Sequence, residues 1–131
     1  MARTINARTL VVLALGLLVA AAAVLLLSRG PDARAAATQT LKLTADKNGN
    51  LKFNTTKLSA KAGKVTVVMT NPSSLTHAIG VSGHGLDKDG KPAAKGKTST
   101  VTLTLKKGTY AFYCPIDGHR SAGMKGTIVV K

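Results

Sequence analysis

One cysteine, one histidine and one methionine near the end of the chain have the types and the spacing of metal ligands. Cys114, His119 and Met124 follow one another at intervals of five residues, and Cys114 is the only cysteine among the 131 residues. Gly118 and Gly123 directly precede His119 and Met124, and glycine permits the tight turns that such a short loop needs. A strand that ends at Cys114, followed by this loop, can therefore direct a thiolate, an imidazole and a thioether to one point.

A fourth ligand has to come from another part of the sequence, and the chain has two further histidines. His77 follows the proline-containing segment 71–76 and stands at the start of a predicted strand, so its backbone would be well held. His84 lies between two glycines in a flexible segment, where a ligand would be poorly fixed. We therefore expect His77 rather than His84 to complete the site.

The types of these four side chains favour copper. Thiolate and thioether sulfur are soft ligands that suit copper(I), and imidazole also suits copper(II). Two histidines and one cysteine with a weak axial methionine form the ligand set of type 1, or blue, copper sites. We expect one such copper, held by His77, Cys114, His119 and Met124. A structural zinc site more often contains several cysteines, and a two-copper site would need a second bridging thiolate.

Simpler roles exist for each of these residues. Cys114 taken alone fits a small buried side chain, Met124 fits a core filler and His119 fits a surface residue. A cysteine nucleophile would need a neighbouring base and an oxyanion site, and it would leave the methionine and the regular spacing unexplained. One domain with one closed copper site also leaves no place for a substrate, so we expect a protein that is not an enzyme.

The elements that must position these residues are predicted to be short β-strands. From residue 41 onward, runs of alternating apolar and polar residues are separated by turn residues such as Asn48-Gly49-Asn50. Seven or eight such runs, with no convincing soluble helix, predict an all-β sandwich. Residues 82–97 are predicted to be a loop. Within them, residues 87–90 resemble the start of a calcium loop but lack the glutamate that should follow, so they are interpreted as a turn.

An apolar leader precedes this domain. Residues 10–27 contain no charged residue and no proline, and Arg3 and Arg8 come before them. This arrangement is typical of a secretory signal, while the length is also just sufficient for a helix that spans a bilayer. Either a cleaved signal or a retained N-terminal anchor would place the domain outside the cytoplasm, in the periplasm or on the outer face of the cytoplasmic membrane.

The chain is therefore divided into three predicted parts. Residues 1–29 form the signal or membrane anchor, residues 30–40 form a linker, and residues 41–131 form the β-domain that would carry copper. Ala33-Arg34-Ala35 and Ala35-Ala36-Ala37 both fit the pattern of a cleavage site. A domain of about 90 residues has a modest core, and a bound metal would stabilise it further.

The domain is strongly basic. Residues 38–131 carry 14 lysines and one arginine against four aspartates and no glutamate, which gives a net charge of +11. Such a charge fits a solubilising surface, steering toward an acidic redox partner, or attraction to an anionic membrane surface. Two phenylalanines, two tyrosines and no visible basic helix disfavour nucleic-acid binding. We expect a monomer.

Two segments of the domain resemble the cupredoxins, the plastocyanin, azurin and auracyanin family of type 1 copper proteins. Residues 113–130 are similar to the family's closing motif of Cys, His and Met, followed by Gly-Thr and a final strand. Residues 71–77 are similar to the family's loop that contains asparagine and ends at the first histidine. The resemblance covers about residues 38–131, and its C-terminal motif is the more specific of the two.

The resemblance implies a two-sheet Greek-key sandwich with copper at one end and an electron carrier as the function. It implies His77, Cys114 and His119 as strong ligands and Met124 as the axial ligand. Copper delivery to an oxidase, or copper resistance, is the alternative function that the ligands alone leave open. His119 would reach the surface within an apolar patch where partners dock. Candidates for this patch are Pro72, Leu75, Leu86, Pro115 and Ile116.

The sequence departs from the family's pattern beside the site. Many members follow the first histidine with an asparagine whose side chain braces the ligand loop, and here Ala78 stands at that position. The backbone N–H of Ala78 could still donate to the sulfur of Cys114. The acidic docking patch of plant plastocyanins is also absent, because this domain is basic.

Overall fold

Eight β-strands make up the regular structure of residues 37–131, the part of the chain that this computed structural model describes. The strands are β1 Gln39–Thr44, β2 Lys57–Ala60, β3 Gly63–Thr70, β4 Gly80–Gly83, β5 Leu86–Asp89, β6 Thr98–Leu105, β7 Gly108–Tyr113 and β8 Lys125–Val130. None of the described residues belongs to a helix that is long and apolar enough to cross a membrane. The predicted leader, residues 1–29, and the linker up to residue 36 lie outside the described residues.

The strands form two sheets with the core between them. One sheet has the order β1-β3-β6 and the other the order β2-β8-β7-β4-β5. Side-chain alternation decides which face is buried. In β3, Val65, Val67 and Met69 are fully buried, and the residues between them are more exposed. The predicted all-β sandwich is thereby confirmed, with eight strands.

Close packing of β8 against the core depends on a glycine. The fully buried ring of Phe112 on β7 packs against Phe53, with 5.7 Å between the ring centroids. A Cβ atom at Gly126 would overlap both this ring and the carbonyl oxygen of Thr56. Only glycine therefore lets β8 lie this close to its neighbours.

The sandwich has two ends with different contents. β3 ends at Thr70, β7 ends at Tyr113 and β8 begins at Lys125, so the segments that carry the four predicted ligands all adjoin one end, here termed the ligand end. At the opposite end, termed the distal end, residues 61–62 connect β2 to β3 and residues 106–107 connect β6 to β7. The length of β3 separates the two ends by about 25 Å, at roughly 3.3 Å per residue.

The loop predicted over residues 82–97 is wrong in its first half, because β4 and β5 form a hairpin there. His84 and Gly85 join the strands with φ angles of 51° and 78°. Two successive residues at positive φ form the tight turn that suits a β-hairpin. The four side chains of β5 are all exposed, so this edge strand lacks the apolar alternation that marks the others. β4 itself begins at Gly80, three residues after the predicted start at His77.

Candidate metal centre

His77 is fixed by main-chain hydrogen bonds although it lies outside any strand. Its N–H donates to the carbonyl oxygen of Ala93 at 3.2 Å, and its own carbonyl accepts from the N–H of Ala93 at 2.8 Å. The side chain is fully buried. Because both main-chain groups are bonded to a neighbouring segment, the imidazole is held in one place.

Cys114 and Met124 stand at the two ends of the ligand loop, residues 114–124. The N–H of Cys114 donates to the carbonyl oxygen of Met124 at 3.0 Å, which continues the antiparallel pairing of β7 and β8 across the base of the loop. The N–H of Met124 donates to the carbonyl oxygen of His119, also at 3.0 Å. Both side chains are fully buried, so the strand pair fixes the thiol and the thioether in the core.

His119 lies in a tight turn within the ligand loop. Its N–H donates to the carbonyl oxygen of Ile116 at 3.0 Å. Gly118 and Gly123 adopt φ angles of 77° and 111°, which favour glycine. Unlike the other three predicted ligands, His119 is only partly buried. It therefore connects the interior of the site with the protein surface.

Three donor atoms from these segments converge. The Nδ1 atoms of His77 and His119 are 3.2 Å apart, and the Sγ atom of Cys114 lies 3.9 Å from the first and 3.5 Å from the second. A point in the plane of the three atoms and equidistant from them is about 2.1 Å from each, close to metal–nitrogen distances of about 2.0–2.1 Å and metal–sulfur distances of about 2.3 Å. The three atoms thus have the separations expected of ligands that share one metal ion.

The His77 ring has one nitrogen outside the cluster of donor atoms. Its Nε2 atom is buried and has no hydrogen-bond partner among residues 37–131. An imidazole that is buried with an unpaired nitrogen lowers stability. Coordination through Nδ1 would leave Nε2 unpaired, so the fit of the site to a metal rests on the three converging donor atoms. A set of two imidazoles and one thiolate suits copper in both its oxidation states.

Burial dominates the acid–base behaviour of two predicted ligands. Desolvation lowers the pKa of His77, and repulsion from His119 lowers it further. Desolvation raises the pKa of the Cys114 thiol, whereas the backbone N–H groups of Ala78 and Ile116 lower it. His77 is therefore favoured in the neutral form that binds metals, and a bound cation would convert the Cys114 thiol into the thiolate.

A hydrogen bond to the sulfur connects the two ligand-bearing segments. The N–H of Ala78 donates to the Sγ atom of Cys114 at 3.4 Å, as the sequence led us to expect. The bond needs only the backbone, so it survives the replacement of the family's asparagine by alanine. It holds the sulfur beside His77.

Asn71 has a positioning role that the sequence pattern did not reveal. It is fully buried, and its Nδ2 atom donates to the carbonyl oxygens of Leu75 and Ala93, both at 2.8 Å. Its Oδ1 atom accepts from the N–H of Ser73 at 3.0 Å. Asn71 therefore ties the loop before His77 to the same carbonyl that accepts from the His77 backbone. The only sequence signal for this role is an asparagine between a strand and a proline.

Tyr113, next to Cys114, links three parts of the ligand end. Its hydroxyl donates to Asp87 Oδ1 at 2.5 Å and lies 3.0 Å from Asp89 Oδ1, both on β5. The guanidinium of Arg120 in the ligand loop lies 3.9 Å from the centre of the Tyr113 ring. Burial raises the pKa of Tyr113, and the two carboxylates raise it further. This cluster fixes the end of β7 from which Cys114 follows.

Most of the predicted apolar docking patch lies at the ligand end. Leu75 is 43% exposed, which is unusual for a large apolar side chain in this domain. Three other candidates are partly exposed, and all lie in the loops that surround the ligands: Pro72, Pro115 and Ile116. These residues and His119 together form what we term the apolar rim.

Leu86 does not belong to the apolar rim, contrary to the sequence-based expectation. It pairs with Gly83, at the opposite end of β4 from Gly80. Gly80 pairs with Tyr113, next to the site. Leu86 is therefore displaced toward the distal end, because the β4–β5 hairpin reverses the chain there. His84 lies in the same turn, and its ring packs at a tilt against Tyr110 with 4.8 Å between the ring centroids, so it is not part of the ligand cluster.

Known proteins share both the sequence and the fold. Residues 39–131 match the family described as copper binding proteins, plastocyanin/azurin family. The chain is 37% identical over 123 residues to a plastocyanin of Prochlorothrix hollandica, which covers 89% of each protein. It is 33% identical over 101 residues to a plastocyanin of Scenedesmus fuscus, which covers 70% of this chain and 98% of that protein.

Among solved structures, the reduced auracyanin of Roseiflexus castenholzii superposes with a TM-score of 0.64 at 23% identity, over 73% of this chain and 99% of that one. At this identity the likeness shows the fold alone. The sequence relatives and the cluster of His77, Cys114 and His119 beside Met124 support a single type 1 copper in a protein that is not an enzyme. The chain belongs to the plastocyanin/azurin family of copper-binding proteins.

Proposed function

We propose that this chain is an exported one-electron carrier in which His77, Cys114, His119 and Met124 hold the copper. The observation that carries the proposal is the convergence of two imidazole nitrogens and one thiol sulfur to within 4.8 Å of one another. The similarity to plastocyanins supports an electron carrier. When bound, a copper ion would supply one-electron chemistry by alternating between its two common oxidation states.

The protein's own contribution is to hold these ligands still. His77 is bonded through its backbone to Ala93, Cys114 to Met124, and the Cys114 sulfur to Ala78. Because these bonds link separate loops, the ligands cannot move apart without breaking several of them. A site that moves little between two charge states loses little energy to rearrangement when an electron arrives or leaves.

His119 is the proposed route for electrons, because it is the one ligand that reaches the surface. The apolar rim around it suits brief docking to another protein, since exposed apolar side chains grouped together mark interaction sites. We propose a partner with an acidic surface, which the charge of +11 would attract over a distance. The reaction rate with such a partner should fall as salt rises. A rate independent of salt would contradict electrostatic steering.

The absorption spectrum of residues 38–131 after addition of copper(II) tests the copper site. An intense visible band is expected, and Cys114→Ser should abolish it, because the band requires a bond between copper and thiolate. His84→Ala is the matched control, since it removes a histidine that lies outside the cluster, and it should leave the band unchanged. Weak colour in the unmodified domain would exclude the type 1 assignment.

Electron self-exchange measured by NMR separates the carrier from the alternative, copper delivery. Rapid exchange between the reduced and oxidised forms, with copper retained in the presence of a copper-binding acceptor, is expected of a carrier. Slow exchange together with transfer of the metal to the acceptor would favour copper delivery.

We further propose that residues 1–29 direct export of the β-domain that follows the linker. The domain includes residues 39–40 of the predicted linker 30–40, because β1 begins at Gln39. The apolar stretch 10–27 behind two arginines supports this proposal. Cell fractionation and N-terminal sequencing of the expressed full chain distinguish its two forms. A new N-terminus after Ala35 or Ala37 indicates a cleaved signal, and an intact chain in the membrane indicates an anchor. An intact chain in the cytosol would contradict export.

A further inference from the structure

The distal end carries a basic surface that the proposed electron transfer does not use. Five exposed lysines lie in the turns and at the strand ends of this end of the sandwich, and together they are termed the distal patch. The five residues are Lys61, Lys64, Lys106, Lys107 and Lys131.

Strand pairing brings these lysines together from distant parts of the sequence. Gly63 at the start of β3 pairs with Leu105 at the end of β6, so the turn that holds Lys61 and the turn that holds Lys106 adjoin the same edge of the sheet. The backbone of Lys131 bonds to both sides of the β2–β3 turn, through its N–H to Ala60 at 2.9 Å and its carbonyl to Ala62 at 3.0 Å. The positive charges therefore occupy one end face.

No acidic side chain of the described residues neutralises the distal patch. Asp46 and Asp117 lie in loops of the ligand end, and Asp87 and Asp89 face Tyr113. The one ion pair within residues 37–131 joins Asp46 to Lys52, at 3.8 Å. The aspartates of the domain thus offset part of the positive charge at the ligand end, and none of them lies beside the lysines of the distal patch.

The chain also enters the domain at this end. β1 runs parallel to β3, and its first residue, Gln39, pairs with Val65. The Gln39 side chain donates to the carbonyl oxygen of Lys61 at 2.8 Å and accepts from the Lys61 N–H at 2.7 Å. Eleven residues, 28–38, lie between the apolar stretch 10–27 and Gln39. A segment of this length spans at most about 35–40 Å when fully extended.

We propose that the distal patch binds the anionic lipid headgroups of the membrane that receives residues 10–27. Lysines near an anionic bilayer each strengthen binding, by roughly five-fold. With the distal patch on the membrane, the ligand end points away from it, and the apolar rim stays open to a partner. The proposal rests on export of the chain and is independent of copper.

Lipid is favoured over nucleic acid and over an acidic protein for two reasons. The phenol ring of the distal end, Tyr110, is only 2% exposed and offers no face for stacking on bases. Specific protein interfaces contain an apolar centre, and the distal patch is made of lysines at turns. The first strand of the domain, by contrast, begins at this end, and the apolar stretch 10–27 precedes it in the sequence.

Cosedimentation with lipid vesicles tests the proposal. Residues 38–131 contain both sheets and the whole described core, so this domain can be tested alone, without copper. It should bind vesicles of phosphatidylcholine mixed with phosphatidylglycerol, fail to bind pure phosphatidylcholine, and be released by salt.

Two triple variants of equal net charge locate the binding surface. Lys61→Gln, Lys106→Gln and Lys107→Gln together should weaken binding on the order of 100-fold. The matched control changes three exposed lysines outside the distal patch, Lys47→Gln, Lys91→Gln and Lys95→Gln, and should weaken binding only several-fold. Equal losses in both variants, or no binding by the unmodified domain, would overturn the proposal. The proposal would also be overturned if the domain bound duplex DNA or an acidic peptide through the same three lysines but did not bind the vesicles.

Discussion

The two ends of the sandwich are built from the same strands, yet polar side chains are buried at one end and exposed at the other. At the ligand end, the long loop between β3 and β4 turns polar side chains inward, and Asn71, Ser73 and His77 are all buried. At the distal end, short turns leave the lysines exposed, and Tyr110 closes one turn through two hydrogen bonds of 3.1 Å between its hydroxyl and the backbone of Lys106.

This difference indicates where each end obtains its stability. A buried polar group is tolerated only when its hydrogen bonds or a metal satisfy it, so the ligand end depends on a few specific contacts. The distal end depends on strand pairing and exposes its charged groups to water. We therefore expect substitutions at the ligand end to be costly and to affect copper, and substitutions at the distal end to be mild and to leave copper unaffected.

The largest expected effect is that of the metal itself. Copper at about 1,000 times its dissociation constant should raise the free energy of unfolding by about 4 kcal/mol. Cys114→Ser should abolish most of this gain because the thiolate is lost, and thermal unfolding with and without copper measures it. Tyr110→Phe at the distal end should keep the full gain. A similar gain in the Cys114 variant would show that copper binds elsewhere.

Asn71→Ala should have the next largest effect. Removing the side chain leaves buried backbone groups of the loop before His77 without partners, which costs about 2–3 kcal/mol. Copper affinity should fall as well, because the loop that carries His77 loosens. Urea unfolding of the metal-free domain and copper titration measure the two effects.

Asn54→Ala is the matched control for Asn71. Asn54 is exposed and accepts one bond, from the N–H of Thr44 at 2.8 Å, so its loss should cost no more than about 1 kcal/mol. Copper affinity should not change. If the two asparagines proved equivalent, Asn71 would have no special role in positioning the ligand.

Alkaline pH should selectively affect the ligand end through Tyr113. Its pKa is raised in the folded protein, whereas an unfolded tyrosine loses its proton near pH ~10. Above that pH the unfolded state binds fewer protons than the folded state, so stability falls as pH rises, by at most about 1.4 kcal/mol per pH unit. Tyr113→Phe should show a shallower decline in urea unfolding between neutral and alkaline pH. If stability fell equally steeply with pH in the variant and in the unmodified domain, the Tyr113 hydroxyl would not be the source of the decline.

Tyr110→Phe should have the smallest effect. The variant loses both hydrogen bonds to Lys106, but that residue is exposed and water can replace them, so the cost is about 1 kcal/mol. The copper spectrum should be identical to that of the unmodified domain. A shifted spectrum would show that the two ends are coupled through β7, which would break the distinction between them.

Local patterns were sufficient for much of the fold and the site. Alternation along β3 and β6 predicts strands because one face of each is buried. It fails for β5, whose side chains are all exposed, so an edge strand was interpreted as a loop. The expectation that Leu86 belongs to the docking patch is wrong for the same reason, since without the hairpin nothing indicates which end of the sandwich Leu86 occupies.

By itself, the sequence determined the ligand types, the spacing of Cys114, His119 and Met124, and the glycines that let the ligand loop turn. These are local properties, set by side-chain chemistry and by backbone conformation within a few residues. Only the tertiary structure decided that His77, 37 residues before Cys114, meets the Cys114 sulfur. It also decided that Asn71 braces the His77 loop and that five lysines share one end. Contacts between segments far apart in the chain depend on strand order and register, which no local pattern encodes.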